Sequence, residues 1–297
     1  MEKLISVIMG VYNQWNREVL QQAVRSILNQ TYQNLEFIIY DDGSDPKAAA
    51  YIRELEKLDK RIVLIGKEVN HGLAFSLNAC IGVAKGEYIA RMDADDISLP
   101  ERLATQVDFL EIHPEYDWGG CNAELFDENG VWGSRQMPEV PTGHDYLRFS
   151  PYIHPSVMYR RRLFEKNKGY HVSDETLRCE DYEIFMRLYQ AGYHGYNIQK
   201  NLFRYREDAI SFQKRKFLFR LNEAKLRYRN FAAMHMLFPT GWIYVIRPVV
   251  GGLLPASWIG WLKRKESEYK KDDRAERKVQ PEITILQTDF AEESRVS

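Results

Sequence analysis

The sequence predicts an α/β fold built on a mixed, mostly parallel sheet with helices on both faces. Three observations carry this. Short apolar runs alternate with segments of helical period over roughly the first hundred residues. Gly-, Asn- and Asp-containing turns separate them. The polar clusters follow the strand-like runs, where such sheets bind ligands at the carboxyl ends of their strands.

Each element follows in order. Residues 4–11 are an apolar run of strand length, ended by Gly10, Tyr12 and Asn13. Between 19 and 29, Val19, Leu20, Ala23, Val24, Ile27 and Leu28 recur at helical spacing. Residues 35–40 form a second strand closing on Asp41-Asp42-Gly43-Ser44, and 48–58 a helix. A third strand at 62–65 leads through Asn70-His71-Gly72 to a helix at 73–84, with Gly86 as its cap. A fourth strand, 87–92, runs into Asp93-Ala94-Asp95-Asp96, and 100–113 is again helical. Residues 117–212 are more mixed, with strands near 118–125, 156–159 and 196–203 and a helix at 180–191 ended by Gly192. Residues 214–229 read as a basic amphipathic helix carrying Phe217, Leu218, Leu221, Ala224, Leu226 and Tyr228. A Trp/Pro/Gly-rich stretch (238–262), a charged run (263–278) and a polar tail follow.

The 297 residues are 44% hydrophobic and 13% aromatic, which excludes a disordered chain and suffices for about two domains of some 150 residues. Cys80, Cys121 and Cys179 are odd in number and widely spaced, against a disulfide framework and in keeping with a reducing cytosol. Cys179 reads as packing, and the histidines show no zinc-type spacing. The net charge of −1 hides an asymmetry: 24 basic and 32 acidic residues in 1–212, against 17 and 10 in 213–297. The start of the chain lacks a signal-peptide pattern. The longest apolar stretch, 231–262, is broken by Pro239, Arg247, Pro248 and Pro255, so no simple spanning helix is expected.

Asp93 and Asp95 stand one residue apart on a turn after a strand, so both can reach one hard cation such as Mg²⁺ or Mn²⁺. A solvated acidic turn, or a helix cap before Ile97, is the plainer account of the same triplet. Similarly, Tyr12 can be an aromatic at a strand end, Asp42 a helix cap, and Glu180-Asp181 a helix start favoured by its dipole.

The ordered set of motifs narrows this. Residues 6–13 (SVIMGVYN), 41–44 (DDGS), 70–72 (NHG), 86–91 (GEYIAR), 93–96 (DADD), 154–160 (HPSVMYR) and 180–187 (EDYEIFMR) resemble family-two nucleotide-sugar glycosyltransferases over residues 4–212. The resemblance implies a GT-A type fold, a Rossmann-like α/β/α sandwich, at 1–212. Within it, 1–116 would form the nucleotide-sugar-binding half and 117–212 the acceptor and catalytic half. It implies that Val11, Tyr12 and Asn13 lie along the nucleotide, with Tyr12 packing on the base. Asp42 would accept from a pyrimidine N–H, Asp41 would orient the turn, and Arg91 would belong to the same nucleotide-binding set. Asp95 would bind Mn²⁺ or Mg²⁺, and Asp93 the ribose or the metal. Asp181 would be the catalytic base, with Glu180 as the alternative. Arg206 would approach the diphosphate on a stretch running to Ser211, although Glu207-Asp208 replaces a histidine common in relatives.

The implied reaction is inverting transfer from a nucleoside diphosphate sugar, such as a UDP-sugar or its deoxythymidine counterpart, to a lipid-linked saccharide. Residues 214–278 hold 16 basic and 6 acidic side chains among many aromatics, which suits peripheral contact with an anionic lipid surface. A packed helical subdomain or homo-oligomer interface is the rival for that region, and nucleic acid is disfavoured. The expected setting is the cytoplasmic face of a bacterial plasma membrane, with 213–278 associating with it and 279–297 a disordered tail. A sugar-phosphate nucleotidyltransferase is a weaker reading, because residues 10–15 lack its glycine-rich, basic phosphate loop. A non-catalytic sugar-binding relative is weakened by the intact Asp95 and Asp181.

Overall fold

The computed structural model describes residues 2–207 and 217–252. Ser211, the segment 253–278 and the 279–297 tail lie outside the described residues.

The first strand, β1 (Ile5–Val11), sends Val7, Met9 and Val11 to one side of the sheet and Ile8 to the other. Helix α1 (Arg17–Leu28) starts at Asn16, whose side chain accepts from the amides of Glu18 and Val19. Strand β2 (Leu35–Asp42) pairs parallel with β1, from Ile5 opposite Leu35 to Val11 opposite Asp41. It extends two residues beyond the expected strand, so Asp41 and Asp42 belong to the sheet itself. Helix α2 (Pro46–Glu54) is capped by Asp45, not Asp42, and Pro46 fills its first turn. Strand β3 (Ile62–Lys67) joins the far side of β2, and α3 (Leu73–Val83) leads to β4 (Tyr88–Arg91), parallel to β1.

Gly86 is not the cap of α3, which ends at Ala84 in an extended conformation. Its role is close approach: a Cβ on Gly86 would sit 2.5 Å from the Ser6 nitrogen. The Ser6 hydroxyl accepts from the Gly86 amide at 2.8 Å and donates to Glu36 at 2.6 Å.

Beyond β4 lie β5 (Ile97–Ser98), α4 (Arg102–Ile112), β6 (Trp118–Asp127), β7 (Gly130–Arg135), α5 (Gly143–Arg148) and β8 (Met158–Arg160). Helices α6 (Arg162–Lys166) and α7 (Glu180–Gln190) follow, then β9 (Gly195–Arg206). The described strands form one sheet in the order β3-β2-β1-β4-β8-β6-β9-β5, with β7 paired to β6. Strand β8 runs antiparallel to both β4 and β6, whereas β6 and β9 are parallel. Sequence patterning did not anticipate β5 and β7, which are respectively two residues long and largely exposed.

Two apolar layers cover the sheet. Leu20, Val24 and Ile27 of α1 and Leu103, Val107 and Leu110 of α4 pack on the face carrying Val7, Met9, Phe37 and Ile39. Leu77 and Cys80 of α3 and Ile184, Phe185 and Leu188 of α7 cover Ile8, Ile38 and Ile89. This second layer extends past residue 212. Leu226 and Phe231 of α8 (Phe217–Ala233) are buried in it. Arg227 is buried too, donating to the Leu147 carbonyl at 2.8 Å and pairing with Glu223 at 2.9 Å. Helix α9 (Trp242–Gly252) then packs back along α8, where the Arg220 guanidinium reaches the Pro248 carbonyl. Among the described residues no helix is long and apolar enough to cross a membrane.

Candidate active site

Four strand and helix ends converge at one edge of the sheet. At the end of β1, Val11 is buried and Tyr12 is 54% exposed. Asn13 takes a left-handed conformation (φ +48°). Its amide donates to the Ser44 hydroxyl at 3.0 Å and its side-chain oxygen accepts from the Asp45 amide at 2.8 Å. Asn13 therefore joins the loop after β1 to the loop after β2.

At the end of β2 the two aspartates part company. Asp42 is buried, with Oδ1 accepting from the His71 amide (2.8 Å) and Oδ2 from the Gly72 amide (2.8 Å) and the Asn70 side chain (2.9 Å). Asp41 is half-buried and accepts from the Ser44 amide at 3.0 Å. Gly43 permits this closure of the 70–72 turn over Asp42: its φ is +71°, and a Cβ there would lie 2.5 Å from the Val69 carbonyl carbon.

After β4, the carboxylates of Asp93, Asp95 and Asp96 offer ligand atoms all within 4.8 Å of one another. Arg91, 2% exposed, faces Asp93 at 2.7 Å. Burial, then the charges of Asp95 and Asp93, raise Asp96 well above the usual carboxylate value. Desolvation and the Asp93 charge push Asp95 up to about 6. Asp96 Oδ1 accepts from the Arg206 amide at 2.7 Å, while Oδ2 finds no partner among the described residues. The Arg206 side chain reaches the same cluster, with Nε donating to the Asp95 carbonyl at 2.9 Å and its guanidinium 4.4 Å from the Phe126 ring centre.

Three clustered carboxylates in mutual repulsion, one with a buried unpartnered oxygen, are the all-oxygen donor set that suits a hard divalent cation. Asp93 and Asp95 of the sequence motif are thus brought together with Arg91 and Arg206. Asp96 joins them although the sequence reasoning had not counted it as a ligand; its place in the same acidic quartet was the available signal.

Tyr170 is a neighbour common to this cluster and the start of α7. Burial pushes the Tyr170 hydroxyl up to about 12, and that hydroxyl also feels the charges of Arg91, Asp181 and Asp93. Asp181 is half-buried on the first turn of α7. Glu180, nearly buried, is raised above the ordinary carboxylate value by desolvation. Cys179, which is buried, occupies the residue before α7. A cavity of about 370 Å³ runs from His71 and Gly72, the turn that holds Asp42, to Leu177 and Glu180. A more open hollow of about 690 Å³, lined by Gln33 and residues 56–61, lies before the starts of β2 and β3 and holds none of these groups.

Sequence reasoning missed the elements that hold the loop before α7. The Asn78 side chain donates to the Tyr170 carbonyl (2.8 Å) and accepts from its amide (2.7 Å), and the Tyr170 hydroxyl lies 2.7 Å from His154 Nε2. The histidine stands in the 154–160 motif, but nothing local pointed to its partners.

An α/β sheet with an aspartate cluster after its fourth strand and a carboxylate pair opening a later helix matches what the motif resemblance implies for a glycosyltransferase of GT-A type. Residues 6–185 match the model for glycosyl transferase family 2, and the chain belongs to that family. It is 36% identical over 270 residues to a Bacillus subtilis (strain 168) protein named as a glycosyltransferase, EpsE, covering 90% of this chain and 96% of that one. It is 28% identical over 268 residues to the amylovoran biosynthesis glycosyltransferase AmsE of Erwinia amylovora, covering 89% and 99%.

Two solved structures share the fold. S. aureus TarS 1-349 in complex with UDP superposes with a TM-score of 0.57 at 20% identity, over 77% of this chain and 72% of that one. The mannosyltransferase PcManGT of Pyrobaculum calidifontis, in complex with GDP-Man and Mn²⁺, does so with a TM-score of 0.58 at 17% identity, over 91% and 82%.

Proposed function

We propose that this glycosyltransferase moves a sugar, with inversion, from a nucleoside diphosphate donor to a hydroxyl of a lipid-linked saccharide. The donor is a UDP-sugar and the cofactor Mn²⁺ or Mg²⁺. The setting is synthesis of a cell-surface polysaccharide such as a capsule, O-antigen or exopolysaccharide, at the cytoplasmic face of the membrane. The observation that carries this is the convergence of Asp93, Asp95 and Asp96 within 4.8 Å of one another at the end of β4.

Breaking the anomeric C–O bond leaves positive charge on the sugar ring and negative charge on the departing diphosphate. Asp95, with Asp93 and Asp96, would hold the cation, which when bound neutralises that diphosphate charge. Arg206, fixed against the Asp95 carbonyl, adds a cation beside the same group. Asp181 takes the proton of the attacking hydroxyl as it approaches from the opposite face. Such a displacement needs one base, unlike the paired carboxylates of glycoside hydrolases.

For the base of the nucleotide, Asp42 already accepts three hydrogen bonds, and a carboxylate has about four lone-pair positions. One is left for a pyrimidine N–H, and the exposed Tyr12 ring supplies a stacking surface. The UDP complex of TarS favours uracil, whereas PcManGT was solved with GDP-Man, so the base is part of the test. The name of AmsE supports the polysaccharide setting. The test is incubation with Mn²⁺ and a panel of UDP-, dTDP- and GDP-sugars. Donor hydrolysis or a raised melting temperature is expected with a UDP-sugar; no response to any donor overturns the reading.

A further inference from the structure

The α8–α9 hairpin carries an apolar surface that the catalytic body leaves uncovered. On α9, Trp242, Ile243, Ile246 and Val250 are each about half exposed, at 48%, 48%, 45% and 53%. Their spacing puts all four within one side of a helix of 3.6-residue period, while Pro248 on the other side is buried towards α8. Phe238, on the turn entering α9, is 82% exposed. A contiguous apolar row of this kind costs solvation in a free protein and marks an interaction surface.

We infer that this face of α9 is the surface that lies in the headgroup layer of an anionic membrane; the inference rests on the peripheral membrane reading above and says which residues make the contact. The sequence assigns the contact to the whole of 213–278, but the inner side of the basic helix α8 is spent on packing. Arg227 is buried and paired with Glu223, and Leu226 and Phe231 lie in the core. Among the described residues Trp242, Ile243, Ile246 and Val250 of α9 stay outside the core, and Arg247 beside them reaches the Arg148 carbonyl at 3.3 Å.

Charge selects the occupant. Arg247 stands among the exposed apolar residues of α9; on α8 Lys225 adds a further cation, while Arg229 is paired with Glu175 and Arg220 reaches the Pro248 carbonyl. Between 217 and 252 Glu223 is the only carboxylate in the sequence, and it is held by Arg227. An anionic surface meets no unpaired carboxylate on the hairpin, whereas antiparallel pairing of two copies centred on Ile246 and Arg247 would set Arg247 near its own equivalent. Apolar and aromatic side chains at the acyl boundary with cations at the phosphates is the arrangement of an interfacial helix. Because α8 packs on α7, the contact would hold Asp181 at a fixed height above the bilayer, within reach of a lipid-linked acceptor.

Flotation of the full-length protein on vesicles tests this. Wild type should float with phosphatidylglycerol-containing vesicles and not with pure phosphatidylcholine. Ile243→Asp combined with Ile246→Asp should lower the bound fraction at least tenfold. Arg247→Glu should lower it by a smaller factor. Melting temperature and soluble donor hydrolysis should stay near wild type, since the altered side chains face solvent. Wild type that fails to float overturns the membrane reading itself. Wild type and double variant floating equally leaves that reading standing and overturns the assignment to α9. A lipid-free dimer that the double variant converts to monomer, seen by light scattering, overturns it in favour of an interface between copies.

Discussion

Arg91 grips Asp93 with both prongs of its guanidinium, Nη2 to Oδ1 at 2.7 Å and Nη1 to Oδ2 at 3.0 Å. The cation is buried at the end of β4, and the carboxylate it holds is the first of the aspartate cluster. Asp93 therefore has one oxygen pair committed to the protein, and Asp95 and Asp96 are the freer donors. Replacing the cation, as in Arg91→Met, leaves Asp93 without its two-pronged partner beside Asp95 and Asp96. Removing one partner of a buried pair costs about 3 kcal/mol or more. Chemical denaturation should show a loss of that order, and added Mn²⁺ should recover part of it.

Asp95 is the test of cation binding. In Asp95→Asn the rise in melting temperature produced by Mn²⁺ with UDP should vanish, and chelation of the metal from wild type should have the same effect. The fold should survive, because Asp95 lies at the exposed edge of the cluster. A variant that keeps the full Mn²⁺-dependent shift would remove Asp95 from the ligand set.

Asp181 separates chemistry from binding. A general base contributes about 10²- to 10⁴-fold, so Asp181→Asn should lower kcat by that factor while UDP affinity stays within a few-fold. Glu180→Gln is expected to do less to kcat, because Glu180 is only 8% exposed and offers an acceptor hydroxyl little access, whereas Asp181 is half-buried. Equal losses of turnover and nucleotide affinity in Asp181→Asn would refute the role of base.

His154 sets a dependence of stability on pH. Burial, and then the Arg91 charge, hold its imidazole well below the ordinary 6.5. Below that value the unfolded chain takes up a proton that the folded protein refuses. Stability therefore falls as pH drops from 6.5 towards the depressed folded value, by up to about 1.4 kcal/mol per pH unit. Between pH 7 and 5.5, urea unfolding of wild type should lose about 1 kcal/mol more than that of His154→Gln.

The fold and the site were not equally legible. The strands β1, β2 and β4 and the helices α1, α3 and α7 declare themselves through apolar period, and their polar ends mark the ligand edge. The bounds shifted by a few residues, and β5 and β7 escaped because two residues or an exposed hairpin strand carry no periodic signal. Asp93, Asp95 and Asp181 stood out only through the ordered motifs, since each alone could be a turn or a helix start.

What the sequence by itself determined was therefore the layered sheet, its binding edge and the family, all of which rest on patterns spanning a few turns of chain. Tertiary structure alone decided how those residues are held. Asp42 is buried under a turn some thirty positions on, reached by the Gly72 amide at |i−j| of 30. Asp96 is tied to Arg206 across a separation of 110. Arg227, a surface cation by its helical pattern, is buried against Leu147. The reason is that hydrogen bonding and desolvation depend on neighbours in space, and those neighbours come from elements whose spacing along the chain carries no signal.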